Sequence, residues 1–227
     1  LSCTPPTTTP HHARPSGTEH KHRKIFVTKT APNPRRVRMF MAEKGLLEKA
    51  EFVEIDLMKG ENLTPEYVAK NPMKKVPVME LDDGTCIAET MAICRYFEES
   101  YPDTPSLLGD TPLEKAQLEQ WMRWIELFFF MPTGMCFQHT SGYFKDRMNP
   151  IKEWGEECGQ QVEKFLHFLN KQLEGKEYIC LDRFTAADIN AFTTIAFARV
   201  INIRIKPEQT NLQAWFERIK ARPSAQV

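Results

Sequence analysis

The segment Lys75-Val76-Pro77-Val78-Met79-Glu80-Leu81-Asp82-Asp83-Gly84-Thr85-Cys86-Ile87-Ala88-Glu89-Thr90 constrains this chain more than any other. A proline donates no ladder hydrogen bond, so Pro77 marks a strand start or an edge. Asp83-Gly84 between two apolar runs predicts a tight hairpin. Glu89-Thr90 then opens a helix. With Val76-Pro77 in the cis form, the N–H and C=O of Val76 face outward, free to pair with an extended peptide. Glu89 can hold an ammonium, and the hydroxyl and N–H of Thr90 can hold a carboxylate. A small peptide with a free amino-acid head satisfies all three groups.

The chain has 227 residues, with formal net charge zero, 41% hydrophobic and 26% charged residues. That is enough for one large core or two small ones. No global field recruits nucleic acid or an anionic membrane, and apolar runs such as Leu127 to Met131 are far too short to span a bilayer. The cysteines (Cys3, Cys86, Cys94, Cys136, Cys158, Cys180) contain no C-x-x-C pair. In a chain of this length they read as reduced and mostly buried, which points to an intracellular compartment.

Residues 1–22 are rich in Thr, Pro and His and are expected to be a disordered tail. Glu19 is its only acid, a weak likeness to an organellar import sequence. The chain begins at Leu1, so a processed or partial product is expected. His11, His12, His20 and His22 read as part of a solvated tail rather than a metal site. From Lys24 the pattern is compact. Lys24 to Lys29 predicts a first strand, Pro34 the opening of a helix stopped by Gly45, and Val53, Ile55 and Leu57 a second strand. Thr64-Pro65 caps a short helix ending near Asn71. The hairpin and a helix from Thr90 to Ser100 complete a βαβαββα order, a mixed sheet with covering helices over residues 23–102.

Tyr101-Pro102-Asp103-Thr104-Pro105 reads as a linker, and residues 110–227 read as all helical. Pro112 opens a long helix expected to carry Leu113, Ala116, Trp121, Trp124 and Phe128 inward. Pro132 and Gly134 are expected to kink it. A helix from Trp154 to Leu173 follows, with Val162, Phe165, Leu166 and Leu169 on one face. Thr185 and Asp188 form a capping box, with Phe184 and Ile189 as its staple. The buried helix they start is expected to run to about Ile203, and Leu212 to Lys220 gives a last one.

A βαβαββα unit carrying Val76-Pro77 and Glu89-Thr90, followed by helices containing Thr185-Ala186-Ala187-Asp188-Ile189, resembles the cytosolic glutathione transferases. The likeness covers nearly everything after residue 22. It implies a thioredoxin-like domain that binds glutathione, an all-α domain that lines the site of a small electrophile, a homodimer, and a cytoplasmic location. Glutathione is then a cosubstrate, with no metal and no other cofactor. By matching motif, Val76 pairs with the cysteinyl backbone, Glu89 and Thr90 hold the γ-glutamyl end, and Lys75 and Lys59 lie near a peptide carbonyl or the glycine carboxylate. Lys59 and Lys75 also read as plain surface charges.

The reaction needs the thiolate. Lowering a thiol pKa of about 8.5 by one to two units takes about 1.4–2.7 kcal/mol, the scale of a good hydrogen bond plus a helix dipole. Relatives place Ser, Tyr or Cys after the first strand. Here Ala31 occupies that position and has no side-chain donor. Thr30, Asn33 or a backbone N–H near Asn33 to Arg35 are substitutes. The absence of that serine is similar to a fungal and bacterial branch in which a helical-domain His and Ser hold an activating water. His139 with Ser141, or Thr140, is the matching group, and a plain helix-end histidine is the bland alternative. The aromatic run Trp124 to Phe130, with Met131, Met135, Phe137, Tyr143 and Phe144, supplies candidates for an apolar electrophile pocket. A thiol oxidoreductase would need a cysteine after the first strand, and none lies between Lys24 and Asp83. A transferase fold kept as a non-catalytic glutathione-binding or protein-interaction module is the remaining alternative.

Overall fold

The computed structural model describes residues 23–227; the expectations for residues 1–22, including the histidine group, lie outside the described residues. Strand β1 (Arg23–Val27) pairs in parallel with β2 (Ala50–Glu54) and antiparallel with β3 (Val78–Glu80). β3 pairs antiparallel with β4 (Cys86–Ala88), giving the order β2-β1-β3-β4. The first two strands end earlier than the sequence suggested. Lys29 lies in a turn, and Ile55 and Leu57 follow β2 as a loop.

Helix α1 (Pro32–Glu43) opens at Pro32, not Pro34. Both prolines fit, because the first turn of a helix has no use for their missing N–H groups. Thr64 caps α2 (Pro65–Lys70), accepting from the Tyr67 N–H at 3.3 Å. Helix α3 (Thr90–Ser100) closes this half.

The rest is helical: α4 (Pro112–Ile125), a π turn at Glu126–Phe130, α5 (Met131–Thr140), α6 (Lys152–Gln172), α7 (Ala186–Ala198) and α8 (Thr210–Lys220). The expected kink at Pro132 and Gly134 is instead a widened turn just ahead of them, and α7 stops at Ala198, short of Ile203. The inward face of α4 also differs. Leu113 is 67% exposed and Phe128 56%, and Ala116 faces solvent as well; the buried stripe is Leu118, Trp121, Met122, Ile125 and Phe129. Only Trp121 was correctly phased, with Trp124 half-buried at the edge of the stripe. The first turns of α4 carry apolar residues that no neighbour covers. The α6 face of Val162, Phe165, Leu166 and Leu169 is buried as expected.

One continuous core joins the two halves: Ile25 and Met79 of the sheet, Val37 and Phe40 of α1, Ile93 and Phe97 of α3, and the inner faces of α4, α6, α7 and α8. Asp188 ties down the bundle end. Its carboxylate accepts from the Thr185 N–H (2.9 Å) and hydroxyl (3.2 Å), the Ile179 N–H (3.0 Å) and Trp215 Nε1–H (2.9 Å). Burial pushes this carboxyl up to about 6 while the donors pull it down. The helix cap is therefore also the acceptor that orients α8. Asp188→Ala would leave several buried donors unmet and should cost about 3 kcal/mol or more. The check is the urea unfolding midpoint; a loss no larger than an ordinary cap, about 1 kcal/mol, would refute the wider role.

Candidate functional site

Sheet topology gathers the candidate residues at one end. β1 and β2 are parallel, with Val27 opposite Glu54, so the segments that follow them lie side by side. The Thr28 hydroxyl donates to the Ile55 carbonyl, and the Ile55 N–H to the Val27 carbonyl at 2.7 Å. β3 starts and β4 ends there too, because Phe26 faces Val78 and Val78 faces Ala88. Thr30 to Asn33, Lys59, Lys75-Val76 and Glu89-Thr90 thus share one end of the sheet.

The Val76-Pro77 bond is cis. The Lys75 carbonyl accepts from Tyr67 Oη (2.7 Å) and Asn71 Nδ2 (2.8 Å), and Asn62 Nδ2 donates to the Lys74 carbonyl (2.8 Å). Desolvation pushes the Tyr67 phenol up to about 12, so it remains a donor. With the preceding carbonyls anchored, the N–H and C=O of Val76 take part in no hydrogen bond among the described residues. The Lys75 side chain is exposed. Lys59 is 77% exposed at its side chain, 3.4 Å from Asp56, on a turn held by the Asp56 carboxylate, which accepts from the Met58 and Lys59 N–H groups.

Glu89 has φ +72°, a backbone conformation that costs a side-chain-bearing residue roughly 1–3 kcal/mol and clusters at functional positions. Its carboxylate is exposed and makes no hydrogen bond or ion pair among the described residues. Thr90 begins α3, and the Ile93 N–H is the first to find an intrahelical partner, the Glu89 carbonyl. A free carboxylate thus stands beside free N–H groups, a fit for a ligand end bearing both an ammonium and a carboxylate.

Across from these groups, Ala31 caps α1 without a side-chain bond. Pro32 and Pro34 have no N–H, so Asn33 supplies the only unpartnered backbone donor of the first turn. Its side-chain oxygen is buried without a partner. Thr30 is exposed in the preceding turn.

His139 and Ser141 lie at the end of α5. His139 Nδ1 accepts the Ile151 N–H at 2.9 Å, which leaves Nε2 to carry the proton and donate. Ser141 Oγ accepts from the Tyr143 N–H at 3.1 Å, and the Thr140 hydroxyl donates to the Cys136 carbonyl at 2.7 Å. α6 crosses close beside them. A Cβ on Gly155 would sit 2.6 Å from Thr140 Cγ2 and 2.8 Å from His139 Cβ. The loop between α5 and α6 reaches the other half of the molecule: Tyr143 Oη lies against Met58 Sδ, and Arg147 Nη2 donates to the Leu57 carbonyl at 3.3 Å. Phe137 touches the rings of Tyr143, Phe144 and Phe197, and Phe197 touches Phe130, forming an aromatic wall. Phe128 and Met131 point to solvent and Phe129 stacks on Phe165 in the core, so these are not part of it.

Sequence reasoning missed Arg36. It is 1% exposed and donates to Glu126 (3.2 Å), Thr193 (3.1 Å) and Thr194 (2.8 Å), with its guanidinium 3.9 Å from the centre of the Phe130 ring. The signal was present: Arg36 lies three and four residues before Met39 and Phe40, on the buried face of α1. The Tyr143 and Arg147 contacts left no comparable trace, because they join loops far apart in the chain.

Two family models match, described as the N-terminal domain of glutathione S-transferase over residues 30–100 and the C-terminal domain of glutathione S-transferase over residues 130–223. The chain is 38% identical over 202 residues to glutathione S-transferase 2 of Saccharomyces cerevisiae, covering 88% of this chain and 86% of that protein. Among solved structures, a glutathione S-transferase domain-containing protein from Marinobacter aquaeolei is 38% identical, with a TM-score of 0.85 over 88% of this chain and 98% of its own. Gtt2 from Saccharomyces cerevisiae is 36% identical, with a TM-score of 0.84 over 89% and 98%.

The strained backbone at Glu89 gives a test that separates stability from binding. Glu89→Gly should raise stability by about 1 kcal/mol by relieving the positive φ. If Glu89 holds the ammonium of glutathione, as the family resemblance implies, the same change should weaken glutathione binding about tenfold or more through loss of the carboxylate. Thermal melts paired with titration calorimetry read both; reduced stability or undiminished affinity would contradict this account of Glu89.

Proposed function

The chain belongs to the glutathione S-transferase family of enzymes, and from that premise we propose how it holds glutathione and what it conjugates. The observation that carries the proposal is the meeting, at one end of the sheet, of the unpaired Val76 backbone with the free Glu89 carboxylate and the open start of α3. Val76 pairs with the cysteinyl backbone, while Glu89 and Thr90 take the ammonium and carboxylate of the γ-glutamyl end. Lys75 and Lys59, both exposed at the rim, take a peptide carbonyl or the glycine carboxylate.

This arrangement directs the sulfur toward the start of α1. There the Asn33 N–H and amide, with the Thr30 hydroxyl, are the nearby donors that replace the missing side chain at Ala31. The second route is a water held by the His139 Nε2–H with Ser141 beside it. Its support is the Ile151 contact, which fixes the tautomer that can donate. Either route favours the thiolate; the proton leaves to solvent, and the sulfur lone pair forms the S–C bond to the electrophile. The electrophile's leaving group departs with its bonding pair or, in an addition, the π pair moves to the neighbouring atom, which takes a proton from solvent. The wall of Phe130, Phe197, Phe137 and Phe144 favours small, mostly apolar electrophiles.

The same reading makes the enzyme a homodimer acting in cytoplasmic detoxification. Supporting the dimer is a cleft of about 400 Å³ between α3 and α4, where Met91, Leu118 and Met122 meet Arg95, Glu119 and Arg123. Supporting a reducing compartment, Cys86, Cys94, Cys136, Cys158 and Cys180 are free thiols.

Conjugation of chlorodinitrobenzene, run beside glutathione calorimetry, tests the enzyme against a binding-only module: tight binding without conjugation of any of several electrophiles would favour the module. Asn33→Ala should raise the pKa of the bound thiol by about one unit and slow conjugation near neutral pH about tenfold. Titration of thiolate absorbance measures this directly. An unchanged thiol pKa in His139→Ala would remove the water route.

A further inference from the structure

Residues 141–151 connect α5 to α6. The loop starts at Ser141 and Gly142, the latter at φ +72°, and is pinned at its base by the Ile151 N–H on His139 Nδ1. Its far side rests on the opposite half of the molecule through Tyr143 to Met58 and Arg147 to Leu57. Met58 and Leu57 immediately precede Lys59, on the turn that follows β2 at the ligand-binding end of the sheet. The loop therefore bridges from the aromatic wall to the rim of the cleft.

The bridge is held weakly where it crosses. Tyr143 is 52% exposed and Met58 67%, so little apolar area is buried where they meet. The Arg147 hydrogen bond, at 3.3 Å and exposed, contributes about 0.5–1.5 kcal/mol, and the Tyr143–Met58 touch adds little, so the closed form opens readily. The base is the firmer part, because the Phe144 ring lies edge-on to Phe137 and the Ile151 N–H is satisfied by His139.

We propose that residues 141–151 are a gate across the electrophile side of the cleft, with Tyr143 and Arg147 as its latch on the Leu57–Met58 turn, and that this latch sets the size of electrophile admitted. The proposal rests on the glutathione transferase reading of the cleft. When closed, the gate brings the Tyr143 ring over the turn bearing Lys59 and narrows the opening beside the aromatic wall. When open, the Tyr143 and Arg147 side chains leave the turn while the Phe144–Phe137 and His139–Ile151 contacts stay intact, so the thiol-activating groups are not disturbed.

The test is the double variant Tyr143→Phe/Arg147→Ala, which changes two exposed side chains and should fold normally. Amide hydrogen exchange without any ligand should speed up about tenfold over residues 142–148 and over 57–59, with no change at Ile151. The ratio of kcat/KM for a bulky polycyclic electrophile to that for chlorodinitrobenzene should rise several-fold, while the pKa of the bound glutathione thiol stays at the wild-type value. Unchanged exchange and an unchanged size ratio would overturn the gate, and a shifted thiol pKa would show the loop to be part of sulfur activation instead. Because the exchange experiment uses no glutathione, its result stands apart from any failure of the transferase assay.

Discussion

A buried cation has to be answered by partners, and Arg36 is the cation on which this molecule is organised. It sits on α1, the helix whose first turn forms one wall of the cleft, yet all its side-chain partners belong to the helical half. Burial pulls the guanidinium below its ordinary pKa and Glu126 opposes that pull. A guanidinium left in apolar surroundings without its carboxylate would cost several kcal/mol, so α1 has one acceptable position against α7 and the π turn. Glu126 and Phe130, the first and last residues of that turn, both meet Arg36. The same link thus joins sheet to bundle and sets the start of α1 relative to the aromatic wall.

On the proposed reading, the two halves divide the work by chemistry. The sheet half presents backbone: a Val76 peptide without a partner, the open start of α3, and the Asn33 N–H left between two prolines. Backbone groups recognise a peptide irrespective of its side chains, which suits a constant cosubstrate. The helical half presents rings and a histidine, which on the same reading suit a variable apolar partner. Other contacts reinforce the seam. Arg222 makes paired hydrogen bonds to Glu43 at 2.8 and 2.7 Å, and Arg35 Nη2 donates to the Ala225 carbonyl at 2.9 Å.

What could be read from the chain was whatever local chemistry decides. Thr64-Pro65, Asp83-Gly84 and the Thr185–Asp188 box each act within a few residues, and each is in place as a cap, a turn or a cap. The cis Val76-Pro77 bond is outside that group: local chemistry favours trans, and only the family resemblance pointed to cis. Long-range choices were not legible. The face that α4 buries was misread because Leu113 and Ala116 lie on the side of the helix away from Leu118, Trp121, Met122 and Ile125, and which side the bundle covers is a long-range choice. Where β1 and β2 stop depends on their mutual pairing, not on the apolar alternation that continues past it. For the cleft, the residues at the sheet end could be named from motifs, whereas the Tyr143–Met58 and Arg147–Leu57 contacts require knowing which loops meet.

The crossing at Gly155 has a consequence for how sequences of this fold can drift. The space that glycine leaves is already taken by Thr140 and by the Cβ of His139, so positions 139, 140 and 155 are not free to vary one at a time. A lineage that gains a side chain at 155 must first lose bulk at 140 or let the end of α5 swing outward, taking the histidine with it. These positions should change together or not at all, and a chain with a larger residue at 155 is one in which the imidazole has already left its place.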